Sequence, residues 1–104
     1  MKTRVIVNPM ANKGSCGERW PQIRAELEKH VGPLSDDDIA ITRARNHAMA
    51  LAQHSVDAGY RRLVCVGGDG TFGEVMNGVI SDDRPIAPDL VLVSKYGRLY
   101  ETLE

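Results

Sequence analysis

Short apolar runs along the chain alternate with longer stretches in which apolar residues recur every three or four positions. Val5-Ile6-Val7 is β-branched and ends at Asn8-Pro9, so it predicts a strand buried on both faces that leads into a loop. The loop Met10-Ala11-Asn12-Lys13-Gly14-Ser15 is small and polar. A helix is expected from about Gly17 to His30, with Trp20, Ile23 and Leu27 on one face and Gly32-Pro33 as its stop. Ile39-Ala40-Ile41 predicts a second strand. Asn46 is placed to cap a second helix whose shared face is Ala48, Leu51, Ala52 and Val56, and Gly59 suits its C-terminal end. Leu63-Val64-Cys65-Val66 predicts a third strand. Phe72, Val75, Met76, Val79 and Ile80 then fall at helical spacing, with Asp82-Asp83 and Pro85 as the stop. Leu90-Val91-Leu92-Val93 predicts a fourth strand, and no role is assigned from Ser94 to Glu104.

Strands alternating with helices argue for an α/β domain: a three-layer, Rossmann-like parallel sheet with helices on both faces. Ligands of such sheets bind beyond the carboxyl ends of the strands. Here those ends carry Asn8-Pro9, Thr42 and the turn over residues 67–71, which are expected side by side.

The 104 residues suffice for one small domain, and 42% hydrophobic with 26% charged residues is ordinary for a globular chain. A formal net charge of −1 provides no general field for nucleic acid, although a few backbone donors can still hold a phosphate. Asp36-Asp37-Asp38 reads as a solvated loop. Cys65 lies in an apolar run and reads as a core residue, whereas Cys16 falls beside a loop where it could be exposed, with nothing nearby to mark it as a nucleophile. His30, His47 and His54 have no second ligand set at zinc-like spacing, and no metal site is assigned. No apolar stretch approaches the roughly 18 residues of a spanning helix, and no secretion signal is evident. The expectation is a reduced, cytoplasmic protein that meets any lipid at a membrane surface.

Chemistry concentrates in Gly67-Gly68-Asp69-Gly70-Thr71, which follows an apolar strand and opens a helix. That arrangement presents free backbone N–H groups to a phosphate, glycines permit positive φ and close approach, and Asp69 adds one carboxylate. The plainer alternative is that Thr71, with Glu74 three residues on, forms a capping box that merely starts a helix. Three glycines around an aspartate exceed what capping requires.

Gly67-Gly68-Asp69-Gly70-Thr71, with Glu74-Val75 and Asn77-Gly78 after it, resembles the signature of the diacylglycerol kinase catalytic domain family, which includes bacterial diacylglycerol kinases and sphingosine kinases. Val5-Ile6-Val7-Asn8-Pro9 resembles that family's first strand and Asn-Pro loop, and Thr42 with His47-Ala48 its middle element. The likeness runs over roughly residues 3 to 93. It implies the N-terminal, nucleotide-binding domain of the NAD kinase/diacylglycerol kinase type, here residues 1–104, without the family's second, β-rich domain. It also implies ATP with Mg2+ as cofactors and a lipid hydroxyl as acceptor of the γ-phosphate. By resemblance, Asn8, Pro9, Met10, Ala11 and Asn12 form one wall of the nucleotide site and Thr42 contacts the nucleotide. Gly67, Gly68, Asp69, Gly70, Thr71 and Glu74 cradle the phosphates, with Asp69 close to the transferring group as the catalytic candidate.

NAD kinases share the Gly-Gly-Asp-Gly-Thr string, so an NAD kinase-like enzyme is the first alternative; a non-catalytic nucleotide-binding module is the second. The family's Asn-Pro loop often continues Ser-Gly, where this chain has Met10-Ala11. After the fourth strand the family has a Gly-Thr-x-Asn loop, which Ser94-Lys95-Tyr96-Gly97-Arg98 does not match. By resemblance the missing half supplies metal-binding carboxylates, the general base and much of the lipid site. The isolated chain is therefore expected to be inactive, and surface left uncovered by that half favours self-association as a homodimer. Lys13 reads as an exposed loop lysine. For Arg43 and Arg45 two readings stay open, facing the phosphates or standing in a solvated loop. Gly78, costly by roughly 1 kcal/mol inside a helix, implies close packing against the sheet or the missing domain.

Overall fold

The computed structural model describes residues 2–81, 84–85 and 91–95. Its elements are β1 (Thr3–Val7), α1 (Ser15–Val31), β2 (Ile39–Ile41), α2 (His47–Asp57), β3 (Arg62–Val66), α3 (Asp69–Val79), β4 (Ile80–Ser81), β5 (Arg84–Pro85) and β6 (Val91–Lys95). Four strands form one parallel sheet in the order β2-β1-β3-β6, and β4 pairs antiparallel with β5 apart from it. Val7 stands opposite Ile41 on one side and Val66 on the other, so the carboxyl ends of β1, β2 and β3 finish level.

Side-chain alternation along the strands builds two cores. Val5, Val7, Val64 and Val66 meet Cys16, Ile23 and Leu27 of α1 on one face. Ile6, Leu63 and Cys65 meet Ala48, Ala52 and Val56 of α2 and Val75 and Val79 of α3 on the other. The expected three layers are present. Strands buried on both faces read as unbroken apolar runs, as β1 and β3 do.

Several local expectations need correction. α1 begins at Ser15, ahead of Gly17, so Cys16 enters the helix and is fully buried instead of exposed. α3 begins at Asp69, ahead of Phe72, and Ile80 leaves it for β4. Asn46 does precede α2, but with φ 67 and no side-chain cap bond. Gly59 behaves as expected: at φ 96 its N–H reaches Val56 O (3.0 Å) while the Tyr60 N–H reaches Ser55 O (3.0 Å), closing the helix. Asp36–Asp38 form a 3-10 turn in which the Asp38 carboxylate accepts from the Ser35 N–H (3.1 Å) and the Tyr60 hydroxyl (3.0 Å). Asp82-Asp83, Leu90 and the stretch from Tyr96 onward lie outside the described residues.

Gly78 is explained by its packing against α2 and not against the sheet. A Cβ there would run into the Met49 carbonyl oxygen and come within 3.1 Å of the Ala52 Cβ. The last turn of α3 thus crosses the first turn of α2 at backbone contact. Gly78→Ala gains roughly 1 kcal/mol of helix propensity but overpacks a contact that includes rigid main chain, a cost of about 1–3 kcal/mol. The expected result is a lower urea midpoint with an unchanged m-value, a net loss of up to about 2 kcal/mol.

Candidate functional site

The sheet ladders continue past the strand ends. The Asn8 N–H donates to Val66 O (2.9 Å), and the Thr42 N–H donates to Val7 O (2.8 Å). Asn8 and Thr42 are therefore fixed by the backbone of the neighbouring strand. The chain leaves β1 for β2 on one side and returns to β3 on the other, which makes the β1–β3 boundary the place where such sheets open a crevice.

Across that boundary the Asn8 Nδ2 donates to the Thr71 hydroxyl (2.9 Å), while the Asn8 Oδ1 accepts from the Met10 N–H (3.1 Å). This settles the question of Thr71. It lies inside α3, buried, and accepts a bond from Asn8; the helix N-cap is Gly68, with no side-chain cap bond. The capping-box alternative does not hold. Gly67 belongs to the same interlock, since a Cβ on it would stand 2.9 Å from the Thr71 Oγ1.

A cleft of about 330 Å³ opens beside this interlock, and Asn8, Met10, Thr42, Thr71 and Glu74 line it. Arg43, Ala44 and Arg45 complete the lining, so both arginines stand on the cleft wall. The other anticipated residues do not line it. The Pro9 carbonyl accepts from the Gly17 N–H (2.9 Å), Ala11 packs toward α1, and Asn12 is an exposed residue at φ 55. Gly67 packs under Thr71, and Gly68, Asp69 and Gly70 stand at the start of α3.

Positive φ is not what the turn needs from its glycines. None of Gly67, Gly68 and Gly70 adopts it, whereas Gly14, Gly32 and Gly59 do. Gly67 is required by a neighbouring side chain. Gly70 is different, because a Cβ there would meet nothing within 4 Å. The protein leaves open space beside an N-terminal helical turn that no side chain caps, with Asp69 and Gly70 exposed. First-turn N–H groups have no intrahelical partner, and the helix dipole adds positive potential, so this donor set fits a phosphate.

Other chemistry is poorly supplied. Among the described residues, no three His, Cys, Asp or Glu side chains converge to hold a metal. Burial pushes the Cys65 thiol up to about 12 and raises Cys16 as well, so neither is a ready thiolate. Lys2 and Arg4 lie over the Tyr60 ring (4.3 and 4.2 Å), beside the start of β1 and away from the cleft.

The chain matches the diacylglycerol kinase catalytic domain over residues 2–93. It is 30% identical to the diacylglycerol kinase of Staphylococcus saprophyticus over 92 residues, 88% of this chain and 28% of that protein. It is 38% identical to the ceramide kinase of Mus musculus over 81 residues, 73% of this chain and 14% of that protein. A solved structure of a Bacillus anthracis str. Sterne protein assigned as a diacylglycerol kinase superposes with a TM-score of 0.70 at 27% identity, covering 92% of this chain and 32% of the other. The chain thus spans less than a third of these relatives' length.

Thr71→Val keeps the shape of the side chain but removes the acceptor for the half-buried Asn8 amide, and should lower unfolding free energy by about 1 kcal/mol. Asp69→Asn, at an exposed first-turn position, should stay within about 0.5 kcal/mol of the parent. Paired urea titrations of the two variants check both expectations.

Proposed function

The chain belongs to the diacylglycerol kinase catalytic domain family, and from that premise we propose that it forms the ATP-holding part of a lipid kinase. The observation that carries the reading is the uncapped start of α3, with room beside Gly70, next to a cleft walled by Asn8, Thr42 and Glu74. In this reading the nucleotide occupies the cleft and its phosphates extend to the N–H groups of residues 69–71. Arg43 and Arg45 add positive charge on the wall formed by the β2–α2 connection.

Mg2+ would enter with the nucleotide. It is commonly held by one or two carboxylates together with substrate phosphates; Asp69 stands in the first turn of α3, and Glu74, further along the same helix, lines the cleft. When bound, the ion neutralises charge developing on the phosphates. Asp69, on the first turn of α3, is the residue nearest the transferring group in this reading. The acceptor is a lipid hydroxyl, in keeping with relatives that are diacylglycerol, ceramide and sphingoid base kinases. No helix among the described residues is long and apolar enough to cross a membrane. The lipid is met at a membrane surface by a protein that is otherwise cytoplasmic.

Gly70→Ala separates binding from folding. Its Cβ has space within the protein, so stability should be kept or raised by up to about 1 kcal/mol, while ATP affinity should fall because the phosphate path is filled. ATP titration followed by amide shifts should affect Gly68, Gly70 and Thr71 in the parent. Shifts confined to α2 would contradict this placement.

Phosphoryl transfer needs nucleotide, metal and an oriented hydroxyl at one point. A chain spanning less than a third of its relatives is expected to bind ATP without sustained turnover. A phosphorylation assay of purified 1–104 with ATP, Mg2+ and a lipid panel checks this, and steady product formation would contradict it.

A further inference from the structure

The Arg43 N–H donates to the Nδ1 of His47 at 2.9 Å. The chain turns at Asn46, whose φ of 67 brings the imidazole back over the connection it has just left. A second bond, from the His47 N–H to Ala44 O (3.2 Å), closes the same loop. Three cleft-lining residues, Arg43, Ala44 and Arg45, lie inside this double closure.

We infer that His47 is a positioning residue that fixes the arginine-bearing wall of the cleft through its Nδ1, an inference that rests on the nucleotide reading above. His47 is suited to this because it is the first residue of α2 and is followed by Ala48, which is 1% exposed in the core. The imidazole therefore starts from a rigid element. On its far side the wall is tied to the sheet by the Thr42 N–H, held at Val7 O. Between those two anchors the connection has no regular structure of its own. Without the Nδ1 bond, Arg43 loses its backbone tie and the two guanidinium groups sample many placements, so ligand binding has to order them. The bond also dictates the tautomer: Nδ1 must carry a lone pair, leaving the proton on Nε2.

The test compares His47→Asn, whose Oδ1 can accept where Nδ1 does, with His47→Phe, which keeps the ring and loses the acceptor. His47→Ala serves as a second non-accepting variant. Three readouts are taken on the full chain: amide hydrogen exchange at Arg43, ATP affinity and urea stability. Phe and Ala should expose the Arg43 amide to exchange and weaken ATP binding about five- to tenfold, the equivalent of one hydrogen bond. Asn should restore both to within about twofold of the parent. An Arg43 amide that stays protected in His47→Phe overturns the bond itself. Faster exchange with unchanged ATP affinity overturns the positioning role while leaving the nucleotide reading intact. Loss of ATP binding only in proportion to lost global stability, without rescue by Asn, also overturns it. A parent chain that binds no ATP overturns the nucleotide reading first, and the role of His47 toward that ligand with it.

Discussion

Parallel pairing of β1 on both edges, with helices packed on both faces, is the constraint on which the other placements depend. Val5, Ile6 and Val7 are 0–1% exposed, so a shift in register by one residue would send each to the wrong core. Registers with β2 and β3 bring the three strand ends level, and the ladder bonds of Asn8 and Thr42 carry that order into the loops. A parallel sheet also sends each strand directly into a helix at its carboxyl end. The starts of α1, α2 and α3 consequently gather at one edge of the molecule, none capped by a side chain. The electrostatic character of the cleft follows from topology before any charged residue is considered.

Glycine does several different jobs around this edge. Gly67 yields space to Thr71, and Thr71 in turn receives the Asn8 amide, so a residue without a side chain makes the interlock feasible. Gly78 lets the last turn of α3 rest on the main chain of the first turn of α2. Gly70 leaves space that no part of the described protein uses. The first two are fixed by packing, and the third leaves the room that the proposed reading gives to a phosphate, although all three sit in one helix or its approach. Substitution by alanine would look similar on paper at each position and act through unrelated physics.

Much of the architecture was legible because periodicity records burial. The apolar runs at Val5-Ile6-Val7 and Leu63-Val64-Cys65-Val66 are strands, and the face of Ala48, Ala52 and Val56 is buried as its spacing implied. Helix starts were less readable. Gly-Gly-Asp-Gly has poor helix propensity, and the sequence pattern of Thr71 and Glu74 mimics a capping box, yet the helix begins two residues before Thr71. Burial of Cys16 depends on α1 starting at Ser15 after left-handed Asn12, Lys13 and Gly14, which no apolar pattern announces. In the candidate site, Asn8, Met10, Thr42, Thr71 and Glu74 converge on the cleft, while Ala44 gave no signal. Bonds such as that from Arg43 to His47 join a backbone donor to a side chain, and hydrophobic spacing carries no trace of them.

The two walls of the cleft are coupled by core packing instead of by the loops themselves. One wall is the β2–α2 connection, tied at one end to Val7 and at the other to the first turn of α2. The opposite wall is the first part of α3, tied to β1 through Asn8. The last turn of α3 presses on Met49, two residues beyond His47, so the helix that supplies one wall also braces the base of the other. Opening the cleft would have to disturb the α2–α3 contact at Gly78 or the Asn8–Thr71 bond, both of which involve buried groups. Such a cleft meets its ligand with little left to order, and preorganisation of that kind improves binding without any new contact. The same rigidity limits what the cleft can do alone. In the proposed kinase reading, closing a hydroxyl onto a phosphate would require a second surface that approaches the first, and walls braced from within the core cannot supply that motion themselves.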